Sequence, residues 1–185
     1  SIFDIWMKLL KKVEGSVLWL TEDNFEGAKN LQKEANQRGV DSNRLIFARG
    51  MPLLADHLAR HKAADLFIDT IPYAAHATAS DALWAGLPVL TRTGESFSSR
   101  VAASLLSSIG LPELITKTEK EYETLAIELA TNPEQLKKIK KKLEKNKLIK
   151  PLFNTKLFTK NIESAYTMMY EKYLKNLPLE NIEIK

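Results

Sequence analysis

Five short apolar runs, SVLWL, RLIFA, DLFIDT, LPVLT and ELIT, recur along the chain, and a helical stretch separates each from the next. This alternation restricts the fold more than any other feature. A strand that is apolar throughout, with no polar face, is buried on both sides, which is the condition of a parallel sheet covered by helices. The intervening segments have helical periodicity and glycine stops: a first stripe of Ile2, Ile5, Trp6, Leu9, Leu10 and Val13 ends at Gly15, and later helices end at Gly39 and Gly86. The expected fold is therefore α/β, a Rossmann-like parallel sheet with helices on both faces, over residues 1–150. Residues 151–185 read as a C-terminal helical tail packing back on that lobe, with Phe158, Ile162, Tyr166 and Met169 along one stripe.

Composition excludes several classes of function. With 185 residues, 44% of them hydrophobic, the chain can bury a core of its own as one domain or one lobe of a larger enzyme. It has no cysteine, so disulfides, thiolate metal sites and cysteine nucleophiles are absent. No apolar run reaches the roughly 20 residues that span a bilayer, and the expected setting is the cytoplasm. The net charge of +4 is concentrated in KKIKKKLEKNKLIK, where eight lysines face Glu144 alone. Leu136, Ile139 and Leu143 recur there at helical spacing, so the segment reads as an amphipathic helix with a solvated lysine face. Aromatic residues are not interleaved with the lysines, and neither nucleic acid nor a membrane is expected as a partner.

In a parallel sheet, ligands bind beyond the carboxyl ends of the strands, where loops enter helix N-termini. After DLFIDT the loop IPYAAHA leads into a helix beginning near Thr78. Free N–H groups and the positive end of the helix dipole favour an anion there, such as a diphosphate. His76 can donate from its ring, the small Ala77 leaves its N–H accessible, and Thr78 and Ser80 either cap the helix or donate to phosphate oxygens. Asp81, placed in the first turn, either complements the dipole or accepts ribose hydroxyls. On the preceding helix, His57, Arg60 and His61 share a face, suited to a base and a phosphate. No metal site is expected, because HLARH lacks the glutamate of the H-E-x-x-H motif. A third segment, TGESFSSRVAASLL, brings Ser98, Ser99 and Arg100 to the same edge, and Trp84 reads as core. Neither a G-x-G-x-x-G nor a P-loop pattern is present.

The segments LFIDTIPYAAHATASDALWAGLPVLT, GESFSSRVAASLL, LPELIT and KPLFNTKLFT together resemble the C-terminal catalytic lobe of the O-linked N-acetylglucosamine transferases, glycosyltransferase family 41. The similarity runs from about Ile2 to Tyr173. It implies a two-lobed GT-B enzyme of which this chain is the nucleotide-sugar-binding lobe. His57 and Arg60 match family positions at the uracil base. His76, Ala77 and Thr78 match the diphosphate segment, and Asp81 the ribose contact. The implied reaction is inverting transfer of N-acetylglucosamine from a UDP-sugar to serine or threonine of a protein or peptide acceptor. It needs no metal and no cofactor besides the donor. The first lobe and, in bacterial members, tetratricopeptide repeats would lie upstream, so the chain alone is expected to be inactive. GDP-fucose or UDP-glucose donors and a non-catalytic binding module are the alternatives. Three departures stand out: Ala77 replaces a threonine, Leu54 stands nearest a family lysine for which Arg49 is a candidate substitute, and a phosphate-contacting lysine lies upstream of the chain.

Overall fold

The computed structural model describes residues 1–184. Helix α1 (Ile2–Lys12) leads to strand β1 (Leu18–Thr21), helix α2 (Phe25–Gln37) and strand β2 (Leu45–Ala48). Helix α3 (Leu54–Arg60), strand β3 (Phe67–Ile68), helix α4 (Ala77–Ala85) and strand β4 (Val89–Arg92) follow. Then come helix α5 (Val101–Ile109), strand β5 (Ile115–Thr116) and helices α6 (Glu119–Thr131), α7 (Pro133–Ile149) and α8 (Thr155–Leu174). All five expected strands are present and every pairing is parallel, with Leu18 opposite Leu45, Phe67 opposite Val89 and Thr91 opposite Ile115. The α/β class holds. The strands, however, form two sheets, β1-β2 and β3-β4-β5, with no ladder between β1 and β3.

Consecutive residues of a strand point to opposite faces, and β4 shows what covers each. Val89 packs with Leu83 of α4, Leu106 of α5 and Leu143 of α7. Leu90 packs with Ile5 and Leu9 of α1 and with Tyr122 and Ala126 of α6. A third cluster joins Met7 and Leu10 of α1 to Leu18, Ala35 and Leu45 around β1 and β2. Leu83, Leu106, Leu111, Leu114, Leu129 and Leu143 are wholly buried, each worth roughly 1.5–3 kcal/mol relative to an exposed position.

Local chemistry sets the helix ends. Thr118 and Glu121 form a capping box at α6, and Asn132 accepts from the Gln135 N–H at the start of α7. Gly86 ends α4 in the left-handed region at φ +90°, and the Leu87 N–H reaches back to the Ala82 carbonyl at 2.8 Å. That reversal returns the chain directly into β4.

The lysine segment forms most of α7, with Leu136, Ile139 and Leu143 buried as expected. Lys140 pairs with Asp65 at 3.1 Å and Lys142 with Glu113 at 2.7 Å, while Lys147 donates to the Trp84 carbonyl at 3.0 Å. Part of the positive charge is thus paired with groups of the same chain. Trp84 itself departs from expectation. It is 53% exposed and lies edge-on to Phe153 with ring centroids 5.1 Å apart, because Leu83 beside it takes the inward position. Leu152 and Phe153 pack against the core, whereas α8 contributes no buried residue. Phe158, Tyr166 and Met169 are all exposed.

Candidate functional site

The parallel arrangement brings the carboxyl ends of β1, β2 and β3 to one edge. The loops leaving β2 and β3 carry the residues singled out from the sequence. A cleft of about 850 Å³ runs between β1 and β3, and Thr21, His57, Arg60, His61, Thr70 and Thr78 line it at this end.

The loop from β3 to α4 is shaped by a residue that sequence reasoning passed over. Asp69 follows directly on β3 and is fully buried. Its Oδ1 accepts the N–H groups of Thr70 at 2.8 Å and Ala75 at 2.7 Å, and its Oδ2 accepts the Thr91 hydroxyl at 2.6 Å. The Tyr122 hydroxyl donates to the Asp69 carbonyl at 2.8 Å. One carboxylate therefore closes the loop at both ends and ties it to β4. Burial raises the Asp69 pKa, against the three donated hydrogen bonds that favour its charged form. The only sequence signal was an acidic residue ending an apolar strand.

This closure delivers His76 to the N-cap position of α4. The helix begins at Ala77, one residue earlier than expected, and no side chain caps it. The capping role considered for Thr78 is therefore not taken up: Thr78 is the second helical residue and is exposed. Uncapped N–H groups of the first turn remain available to an anion. His76 is fixed from its other side, where Nε2 donates to the Ser98 carbonyl at 3.2 Å and the Tyr73 ring stacks at 4.9 Å, 20° from parallel. The Ala74 N–H donates to the same Ser98 carbonyl at 3.2 Å. The 94–99 loop thus joins the site through a backbone carbonyl; the Ser99 hydroxyl turns inward to Ser96, and Arg100 donates to the Glu95 carbonyl.

Asp81 lies in the second turn of α4, not the first, because the helix starts at Ala77 and a turn takes 3.6 residues. Its Oδ2 is 3.5 Å from Nε2 of His57 on α3. This contact joins the two groups of candidates, which the sequence alone left apart. His57 also meets the edge of the His61 ring, with centroids 5.0 Å apart, and the His61 Nδ1–H donates to the His57 carbonyl at 2.8 Å. Burial lowers the pKa of His61, which favours the neutral ring. Arg60 donates to the Arg49 carbonyl at 3.1 Å, which anchors the end of β2 to α3. The Arg49 side chain reaches Glu22 at 3.3 Å and is 89% exposed.

Six positions, His57, Arg60, His76, Ala77, Thr78 and Asp81, thus surround one edge at an uncapped helix N-terminus. The model of the family described as Glycosyl transferase family 41 matches residues 1–162. The chain is 33% identical over 182 residues to a UDP-N-acetylglucosamine--peptide N-acetylglucosaminyltransferase of Caenorhabditis elegans, covering 98% of this chain and 16% of that protein. It is 35% identical over 171 residues to the probable enzyme of that name, SEC, of Arabidopsis thaliana, covering 92% and 17%. A mutant O-GlcNAc transferase of Thermobaculum terrenum has a similar structure, with TM-score 0.86 and 29% identity over 95% of this chain and 34% of its own. The chain spans about a sixth of the length of the two sequence relatives and about a third of the structural one. With the family model matching residues 1–162, which include all five strands, the chain belongs to glycosyl transferase family 41.

Proposed function

We propose that the chain is the nucleotide-sugar-binding lobe of a protein O-glycosyltransferase and that its donor is UDP-N-acetylglucosamine. The observation that carries this reading is the contact of Asp81 with His57 beside the uncapped start of α4. It sets the His57 ring and the Asp81 carboxylate, in the second turn of α4, near the free N–H groups of the first turn. His57 and Arg60 stack on and hydrogen-bond the uracil. Asp81 accepts a ribose hydroxyl, and the His76 ring with the Ala77 and Thr78 N–H groups takes the diphosphate. The relatives' names support the sugar and the peptide acceptor.

The reaction in this reading is inverting transfer to a serine or threonine hydroxyl in a cytoplasmic protein. Charge builds on the leaving UDP as the glycosidic bond breaks. The α4 dipole and the His76 ring stabilise that charge without a metal ion. Catalysis needs a second lobe, with repeats upstream to deliver the acceptor, and this chain alone binds the nucleotide but turns nothing over. Ala77 costs one hydroxyl contact relative to a threonine and keeps the N–H, so affinity of the isolated lobe is modest.

Calorimetric titration of the 185-residue chain with UDP and GDP tests the reading. UDP binding that weakens by about 10- to 100-fold on Asp81→Ala is expected. No heat up to millimolar UDP, or a preference for GDP, would overturn it.

A further inference from the structure

Two aromatic rings touch His76 from different sides. The Tyr73 ring stacks on it, and the Phe97 ring meets it edge-on, with centroids 6.2 Å apart and planes at 89°. Tyr73 is 62% exposed and Phe97 75% exposed, and neither belongs to the three core clusters. Rings left so open gain little from burial, so core packing does not account for their positions. What the two share is the histidine between them.

Each ring stands on a loop that is tied down. The Thr70 hydroxyl donates to the Tyr73 carbonyl at 2.6 Å. On the second loop the Gly94 N–H donates to the Ser99 carbonyl at 3.2 Å and the Arg100 N–H to the Phe97 carbonyl at 3.0 Å. A Cβ at residue 94 would lie 2.6 Å from the Ser99 hydroxyl oxygen, so this loop closes on itself only with glycine there. The bond from His76 Nε2 to the Ser98 carbonyl fixes one corner of the ring and leaves it free to turn about that corner; the Tyr73 face and the Phe97 edge oppose the turn. With Nε2 engaged, Nδ1 is the nitrogen left for a ligand. It is bonded to the ring carbon that joins the side chain, so it stays beside the His76 main chain, where α4 begins without a side-chain cap. In the imidazolium form both nitrogens donate, Nε2 to Ser98 and Nδ1 to a diphosphate oxygen.

We infer that Tyr73 and Phe97 are positioning residues for the diphosphate: together they hold the His76 ring with Nε2 on the Ser98 carbonyl and Nδ1 at the start of α4. The inference rests on the reading of this edge as a nucleotide site. A ring ordered before the ligand arrives gives up no rotamer freedom on binding. A donor already in place stabilises the charge on a leaving diphosphate without rearranging. The effect is confined to the diphosphate, because in that reading the uracil and ribose fall to His57, Arg60 and Asp81.

Nuclear magnetic resonance titration of the 185-residue chain with UDP and with uridine, which lacks the phosphates, tests this. Tyr73→Ala is expected to weaken UDP binding by about 2- to 12-fold, the worth of one aromatic pair, and to leave uridine binding unchanged. Phe97→Ala should act in the same direction, and Tyr73→Phe, which keeps the stacked ring, should bind both ligands as the parent chain does. Equal losses for UDP and uridine, or no loss for UDP, overturn the inference. A parent chain that binds neither ligand sinks the nucleotide reading itself, and the clamp is then judged in the free chain by carbon-13 relaxation at His76 Cε1. The ring is expected to be ordered in the parent and in Tyr73→Phe and mobile in Tyr73→Ala; a ring equally ordered in Tyr73→Ala overturns the inference whatever the nucleotide does.

Discussion

Asp69 receives three donors from a position with no exposure, so what replaces it decides whether the loop to α4 survives. Asp69→Ala leaves the Thr70 and Ala75 N–H groups and the Thr91 hydroxyl without their acceptor. The expected loss is roughly 3 kcal/mol or more, from about 1–3 kcal/mol per orphaned group, read as a lowered urea midpoint. Asp69→Asn keeps an oxygen for both N–H groups and is expected to cost about 1 kcal/mol. His61 carries a pH dependence. Its folded pKa lies below the unfolded 6.5 because burial disfavours its charge, with charged Arg60 adding to the effect. Below pH 6.5 the unfolded chain therefore binds the extra proton first, and stability falls as the pH drops toward the folded value. Urea unfolding at pH 7.5 and 5.5 should show this loss, and His61→Gln should shrink the difference between the two pH values. At the ligand, Asp81→Ala or His57→Ala is expected to weaken UDP binding by about 10- to 100-fold, with far-ultraviolet circular dichroism unchanged.

Helix ends supply the tests one level up. Gly86 adopts a positive φ, and an added Cβ would also run into the Glu144 carboxylate. Backbone strain accounts for about 1–2 kcal/mol, while Glu144 is a flexible side chain that can swing away. Gly86→Ala is therefore expected to destabilise by about that amount, and adding Glu144→Ala should not rescue it in a double-mutant cycle. Recovery of full stability by the second change would mean that the clash is what matters. The same level shows how the sequence was readable. Glycine stops and apolar periodicity are local signals, and they placed five strands and the helices between them. The start of α4 was placed one residue late because its N-cap is His76, held by the Ser98 carbonyl of a loop 22 residues away, a contact that no local pattern announces.

For the molecule as a whole, α8 is among the elements that add least to the core. Since α8 buries nothing, ending the chain after Asn154 is expected to change the melting temperature by less than about 4 °C, on the order of 1 kcal/mol, measured by differential scanning calorimetry. A larger drop would show that the helix stabilises the lobe. Leu152 and Phe153 pack into the core and must be kept in that variant. The exposed Phe158, Tyr166, Met169 and Tyr170 on α8 are apolar surface that water does not favour.

The order of short apolar strands and amphipathic helices determined the α/β class, the parallel sense of pairing and the sheet edge that carries the candidate site, because each follows from local periodicity and the short connections between elements. The residue types at that edge, two histidines, an arginine, a threonine and an aspartate, were legible for the same reason. Only the tertiary structure decided that Asp81 meets His57, that Asp69 shapes the loop, that Trp84 lies outside the core and that β1 and β3 stand apart. Each of these depends on elements distant in sequence coming together, and such contacts are set by packing the whole chain at once.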